Sequence, residues 1–152
     1  MARLVIVPCS KRKIWDVLPA YGPCKAKDAY QGPLFKACRA YAERFADRWV
    51  ILSAKYGFID PDFVIPENYN VTFRDPSTNP VSVETLKGQA ERMGLNQYDE
   101  IVALGGREYV EMVRLVFPAA KCKIPFESLP LGKLMKAIRI ALVKSNPYPD
   151  IK

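Results

Sequence analysis

The stretch PLFKACRAYAERFADRWVIL, residues 33–52, decides the fold, because it holds a helix and a buried strand in immediate succession. Leu34, Cys38, Tyr41, Ala42 and Phe45 recur at three- and four-residue spacing, whereas Lys36, Arg39, Glu43 and Arg44 fall mainly on other faces. Pro33 has a φ suited to a first helical turn, so the spacing predicts an amphipathic helix over residues 33–47. The WVIL run at residues 49–52 then reads as a strand covered on both faces. Upstream, RLVIV at residues 3–7 is a second buried run, stopped by Pro8, which cannot donate to a ladder. Downstream, YDEIVAL at residues 98–104 makes a third strand and residues 121–124 a weaker fourth. Helical spacing covers residues 83–93, 107–117 and 131–143. Strands alternating with helices predict an α/β fold, a three-layer sandwich whose central sheet of about four strands is mainly parallel, in a single domain over residues 1–152.

Composition limits the chemistry. The chain of 152 residues carries 23 Lys and Arg against 16 Asp and Glu, a net charge of +7, and is 49% apolar. A chain of this size forms a core without disulfides or metal clips. Its apolar runs are far shorter than the roughly 20 residues of a membrane span, and its first residues lack a signal-peptide pattern. The expectation is a cytoplasmic protein without a membrane partner. No two of the four cysteines are closer than fourteen positions, which excludes a CxxC site, and neither a metal nor a cofactor is expected. There is no histidine, so Ser-His-Asp and Cys-His pairs and HExxH helices are excluded. Acid–base work falls to Asp, Glu, Lys, Tyr or a perturbed Cys.

In open parallel sheets, ligands bind beyond the carboxyl ends of the strands. The loops there are PCSKRK (8–13), SAKYG (53–57), GGR (105–107) and PFES (125–128). Cys9 stands before Ser10, Lys11, Arg12 and Lys13, and nearby positive charge lowers a thiol pKa, which makes Cys9 the candidate nucleophile. Ser10, Lys11 and Lys13 are candidate ligand-binding residues.

In LSAKYGFIDPDFVIPENYNVTF, residues 52–73, Ser53 and Lys55 can donate to a phosphate or carbonyl, and Gly57 allows a tight turn. Asp62 is a candidate general base, with Asp60 before Pro61 beside it, and Tyr56, Tyr69 or Tyr30 can stack on a base. The plainer reading of this loop is that Asp60 and Asp62 make side-chain turns. Gly105 and Gly106 precede a helix and would leave amides facing a ligand. Cys9, Asp62 and Lys55 are thus the catalytic candidates, and Cys9, Ser53, Tyr56 and Gly105 are expected within one pocket, about 12 Å across. In the last helix Leu131, Leu134, Met135, Ile138 and Leu142 form an apolar stripe. Lys133, Lys136 and Arg139 lie on other faces as a candidate nucleic-acid surface, within a segment from residue 120 onward that carries seven basic and two acidic residues.

PCSKRK, AKDAYQGPLFKACRAYAE, WVILSAKYGFIDPDFVIPENYNVTF and LPLGKLMKAI together resemble a prokaryotic and phage family of uncharacterised small domains. The segment YGFIDPDFVIPENYN is also similar to the YGLxxPxDxIxPY stretch of the YaaA peroxide-stress proteins, which are described as binding DNA. The PCSxxK opening is similar to that of the catalytic domain of archaeosine synthase, an enzyme that modifies a 7-deazaguanine base in transfer RNA. The resemblance points to Cys9, Ser10 and Lys13, and to Ser53, Lys55, Tyr56, Gly57, Pro61 and Asp62. Residues and resemblance together lead to the expectation of a nucleobase- or nucleoside-directed enzyme, modifying or processing a base in nucleic acid or acting on its N-glycosidic bond. The alternative is a non-catalytic DNA- or RNA-binding protein of stress or phage-defence systems. The expected partner is nucleic acid, DNA or RNA, or a nucleotide or nucleobase ligand.

Overall fold

The computed structural model describes residues 2–151. In chain order the elements are β1 (Arg3–Pro8), α1 (Ile14–Val17), β2 (Cys24–Lys25), α2 (Ala26–Ala29), α3 (Pro33–Phe45), β3 (Arg48–Ser53), β4 (Gly57–Ile59), β5 (Val64–Ile65), α4 (Val83–Arg92), β6 (Glu100–Ala103), α5 (Arg107–Val116), β7 (Cys122–Lys123) and α6 (Leu131–Lys144). The central sheet has five strands in the order β4-β3-β1-β6-β7. Four run parallel, and β4 folds back antiparallel onto β3. Leu4 to Val7 are all buried, because β1 has hydrogen-bonded neighbours on both edges and helices over both faces.

Period-2 alternation divides the core into two layers. Val5, Val7, Ile51 and Val102 pack with Phe35, Cys38, Tyr41 and Ala42 of α3 and with Leu134, Ala137, Ile138 and Ala141 of α6. Leu4, Ile6, Val50, Leu52 and Ile101 pack with Leu86 and Ala90 of α4 and with Val110 and Val113 of α5. Helices over both faces make the three layers. The carboxyl ends of α3 and α6 lie together, since Arg44 donates to Ser145 Oγ at 2.8 Å and the Tyr41 hydroxyl donates to the Pro147 carbonyl at 2.8 Å. Leu131 departs from the expected apolar stripe: it opens α6 before the helix reaches the core, and is 59% exposed. Among the described residues, no helix is long and apolar enough to cross a membrane.

The fifth strand, β4, lies in a segment whose sequence has little periodicity. Gly57 makes it possible: its φ of +79° is a conformation that side-chain-bearing residues rarely adopt, and it turns the chain back along β3. Gln89 of α4 then clamps the turn, donating to the Tyr56 carbonyl at 2.9 Å and accepting from Phe58 N at 2.8 Å. A Cβ on Gly57 would lie 2.1 Å from Gln89 Oε1. Gly57 therefore shapes the turn, as its place in the SAKYG loop predicts, and stands among the candidate ligand-binding residues as the hinge of that loop. Gly57→Ala combines backbone strain with displacement of this clamp, so it should lower unfolding free energy by about 2 kcal/mol, measurable as a lower urea midpoint.

Candidate functional site

The strand order itself locates the site. From β1 the chain crosses to β3 on one side and later to β6 on the other, so the connections diverge between β1 and β6, and the region beyond their carboxyl ends is where open parallel sheets form a ligand crevice. Pro8 and Cys9 leave β1 there, and Leu104, Gly105 and Gly106 leave β6. Gly105 has φ +117°, and a Cβ on it would approach the Pro8 ring to 2.8 Å, so only glycine lets the two loops pack this closely. Gly106 is the N-cap residue of α5.

Cys9 N donates to the Leu52 carbonyl at 3.1 Å, which sets Cys9 beside Ser53 at the ends of neighbouring strands. The Cys9 thiol meets the Tyr109 hydroxyl of α5 at 3.1 Å. Ser53 is fully buried; its Oγ accepts from Lys55 N at 3.2 Å and Tyr56 N at 3.1 Å, and lies 3.0 Å from the Tyr69 hydroxyl. Tyr69 in turn is hydrogen-bonded to the Tyr30 hydroxyl. The Tyr56 ring lies edge-on to Tyr69, with centroids 5.4 Å apart. Lys13 Nζ stands 4.5 Å from the Tyr69 ring centroid, and Lys55 Nζ 5.4 Å from it. The crevice thus gathers Cys9, Lys13, Tyr30, Ser53, Lys55 and Tyr56 from the candidates, with Gly105 and Gly106 at its β6 side.

Lys13 is only 4% exposed, although it closes a run of three cations, Lys11, Arg12 and Lys13. Its backbone N donates to Asp16 Oδ2 at 2.8 Å, a contact that starts α1, and its Nζ donates to the Lys11 carbonyl at 3.0 Å. Among the described residues no carboxylate forms an ion pair with its ammonium. Burial lowers the Lys13 pKa against the opposing pull of Cys9 and Asp16. Burial also raises the Cys9 thiol above its ordinary value, outweighing Tyr109, the Ala54 backbone and Lys13, which act the other way. This corrects the expectation of a thiol lowered by three cations: Lys11 and Arg12 are exposed, and desolvation wins.

Other candidates have contacts or positions away from the Cys9 thiol. Ser10 Oγ donates to the Arg12 carbonyl at 2.7 Å and accepts from Gly32 N at 3.2 Å, fastening the loop to the start of α3. Asp62 is exposed, 3.2 Å from Lys27 Nζ and 3.8 Å from Lys25 Nζ, and both lysines hold it below the usual carboxylate range. Its backbone N donates to Asp60 Oδ1 at 3.0 Å, the side-chain turn that was the plainer reading. The contacts of Asp62 are therefore with β2 and α2 rather than with Cys9. Lys133, Lys136 and Arg139 are exposed along α6. Cys24 and Cys38 are buried, and burial raises both thiols, as it does that of the half-buried Cys122.

Tyr109 and the paired role of Tyr69 with Tyr30 are what the residue pattern did not single out. Tyr109 stands three positions after Gly106, one helical turn into α5, and that spacing after a strand-end glycine pair is the signal that points to it.

A family described as a family of unknown function, DUF6884, matches residues 4–140. The chain is also similar to the "Uncharacterized protein YfjM" of Bacillus subtilis (strain 168), with 45% identity over 116 residues, covering 76% of this chain and 77% of that protein. No solved structure matches. The match begins at the second residue of β1 and runs to the tenth of α6, spanning the central sheet and the whole crevice, and the chain belongs to the DUF6884 family.

Proposed function

We propose that the crevice is the active site of an enzyme directed at a nucleobase or nucleoside, with nucleic acid carried along α6. One observation carries the reading: Cys9, a buried lysine and a set of aromatic rings converge at the point where the β1 and β6 connections diverge. Tyr56 is half-buried at the rim and offers a ring for stacking on a base, and Lys55 beside it is an exposed cation for an adjoining phosphate. Lys11, also exposed, adds a second cation on the β1 side. In this reading Cys9 Sγ bonds to an electron-poor ring carbon of the base. The ring π pair moves to a ring nitrogen, and the thiol proton passes to the Lys13 amine. Tyr109 positions the thiol. The resemblances of PCSKRK to archaeosine synthase and of YGFIDPDFVIPENYN to the YaaA proteins support a nucleic-acid context.

A second reading, a non-catalytic nucleic-acid-binding protein, is favoured by α6 alone. This helix contains Lys133, Lys136, Arg139 and Lys144 and no acidic residue. Phosphate contacts of this kind position a polymer without reading its sequence.

The two readings separate on mutation. Mass spectrometry of nucleosides and short oligonucleotides incubated with the protein should reveal a modified or released base. Cys9→Ser should abolish that product while leaving oligonucleotide affinity unchanged; a fully active Cys9→Ser variant rules out covalent catalysis. Replacing Lys133, Lys136 and Arg139 with Ala should flatten the slope of log affinity against log salt by about 2 to 3 between roughly 50 and 200 mM salt. An unchanged slope removes α6 from the binding surface. The thiol has its own readout. The hydrogen bond from Tyr109 lowers its pKa, so Tyr109→Phe should move the pH midpoint of Cys9 alkylation upward, as followed by peptide mass spectrometry.

A further inference from the structure

The chain between Tyr69 and Val81 leaves the SAKYG loop and comes back to it. The Tyr69 hydroxyl lies 3.0 Å from Ser53 Oγ, and Val81 N donates to the Ala54 carbonyl at 2.8 Å. Residues 70–80 are thus tied at both ends to neighbouring residues, as in an Ω-loop. Their middle stands elsewhere. Val71 packs against the core layer under α3 and α6, whereas Phe73, two residues on, packs against the layer under α4 and α5. Those layers lie on opposite faces of the central sheet, so the chain passes from one face to the other around the carboxyl ends of the strands.

The far contacts of the loop are with the first turn of α5. The Phe73 ring stands edge-on to Tyr109, with centroids 5.4 Å apart, and Arg74 Nε donates to Glu108 Oε1 at 3.1 Å. Tyr109 is the residue whose hydroxyl meets the Cys9 thiol. One anchor is therefore at the end of β3 and the other just past the end of β6, and β1, which ends at Cys9, lies between those two strands.

Inside the loop the bonds are dense. Thr72 N donates to Thr78 Oγ1 at 3.1 Å, and Thr78 N to the Asp75 carbonyl at 3.0 Å. Asp75 Oδ1 accepts from Ser77 N at 3.0 Å and from the Ser77 hydroxyl at 2.6 Å. These bonds make residues 72–78 one unit, with exposed Asn70 and Asn79 at its two joints. Its fastening to α5 is weaker, since Arg74 is 77% exposed in its pair with Glu108, and an ion pair so placed is screened by water and salt.

We propose that residues 70–80 are a strap that closes over the Cys9 and Tyr109 pair and swings at Asn70 and Asn79 to admit the ligand. Tyr109 stays with the thiol, and Phe73 and Arg74 are what leave. Resting on the nucleobase reading above, the base enters where Phe73 stood and takes over its contact with the Tyr109 ring. That exchange gives the ligand a contact it can make only in the open form, which is what a ligand needs to shift the balance.

Alkylation of Cys9 in the full chain, followed by peptide mass spectrometry with small iodoacetamide and with bulky fluorescein maleimide, tests this. Both reagents meet the same thiolate, so the ratio of bulky to small rates reports access rather than acidity. Phe73→Ala should raise that ratio about fivefold or more, as loss of an aromatic pair allows. Arg74→Ala, at an exposed position, should raise it about twofold. Salt at about 1 M should do the same to the unaltered chain and add nothing to Arg74→Ala. Cys38 is fully buried and should stay unlabelled throughout, which shows that the fold is kept; if Phe73→Ala labels Cys38 as well, Arg74→Ala decides. A ratio unchanged in Arg74→Ala, and in Phe73→Ala with Cys38 still protected, overturns the proposal. A raised ratio with no base modified or released leaves the strap standing and removes the nucleobase reading. A base product with an unchanged ratio does the reverse.

Discussion

The position of β1 between β3 and β6 is the constraint on which the rest of the molecule depends. A strand with partners on both edges and helices over both faces must be apolar throughout, and Leu4 to Val7 are. Connections to opposite sides diverge there, at the kind of place where open parallel sheets hold their ligands, and Cys9 is the first residue past the strand. The site is therefore a product of topology before it is a product of side chains. Gly105 and Pro8 show how close the two strand ends come, and any side chain at Gly105 would push them apart.

The second determinant is the cost of enclosing Lys13. A buried ammonium without a paired carboxylate is strongly disfavoured, and proteins answer with a lowered pKa or with compensating donors and acceptors. Here burial lowers the amine and raises the thiol beside it, while one carbonyl and one tyrosine ring are the close partners of the ammonium. Such an arrangement contributes little to stability compared with an apolar residue of the same size. In the function proposed above its use lies in reactivity, because a desolvated amine takes up a proton differently from one in water.

The layers were legible in the sequence because their signals are periodic. The spacing of Leu34, Cys38, Tyr41 and Phe45 predicts α3, and Cys38 is fully buried on the face that the spacing assigns to it. The runs at residues 3–7 and 49–52 lie within β1 and β3. What was not legible depends on long-range geometry. The three-residue β4 exists because Gly57 turns the chain and Gln89, thirty-two positions away, holds the turn. The burial of Lys13 comes from the α1 turn and the bridge to Tyr30, neither of which has a period to read. Charge proximity in the sequence argued for a low thiol pKa, but two of those three cations, Lys11 and Arg12, face solvent. Tyr109 reaches Cys9 from a hundred residues away, a contact that only the fold creates.

The central claim is that the crevice between the β1 and β6 ends is where the ligand is held. Two-dimensional amide NMR during titration with a nucleoside 5′-monophosphate tests it most directly. The account predicts shifts concentrated at Cys9 to Lys13, Ser53 to Tyr56, and Gly105 to Tyr109, with smaller changes elsewhere. Shifts confined to α6, with the amides of Cys9, Ser53 and Gly106 unmoved at saturation, would contradict it.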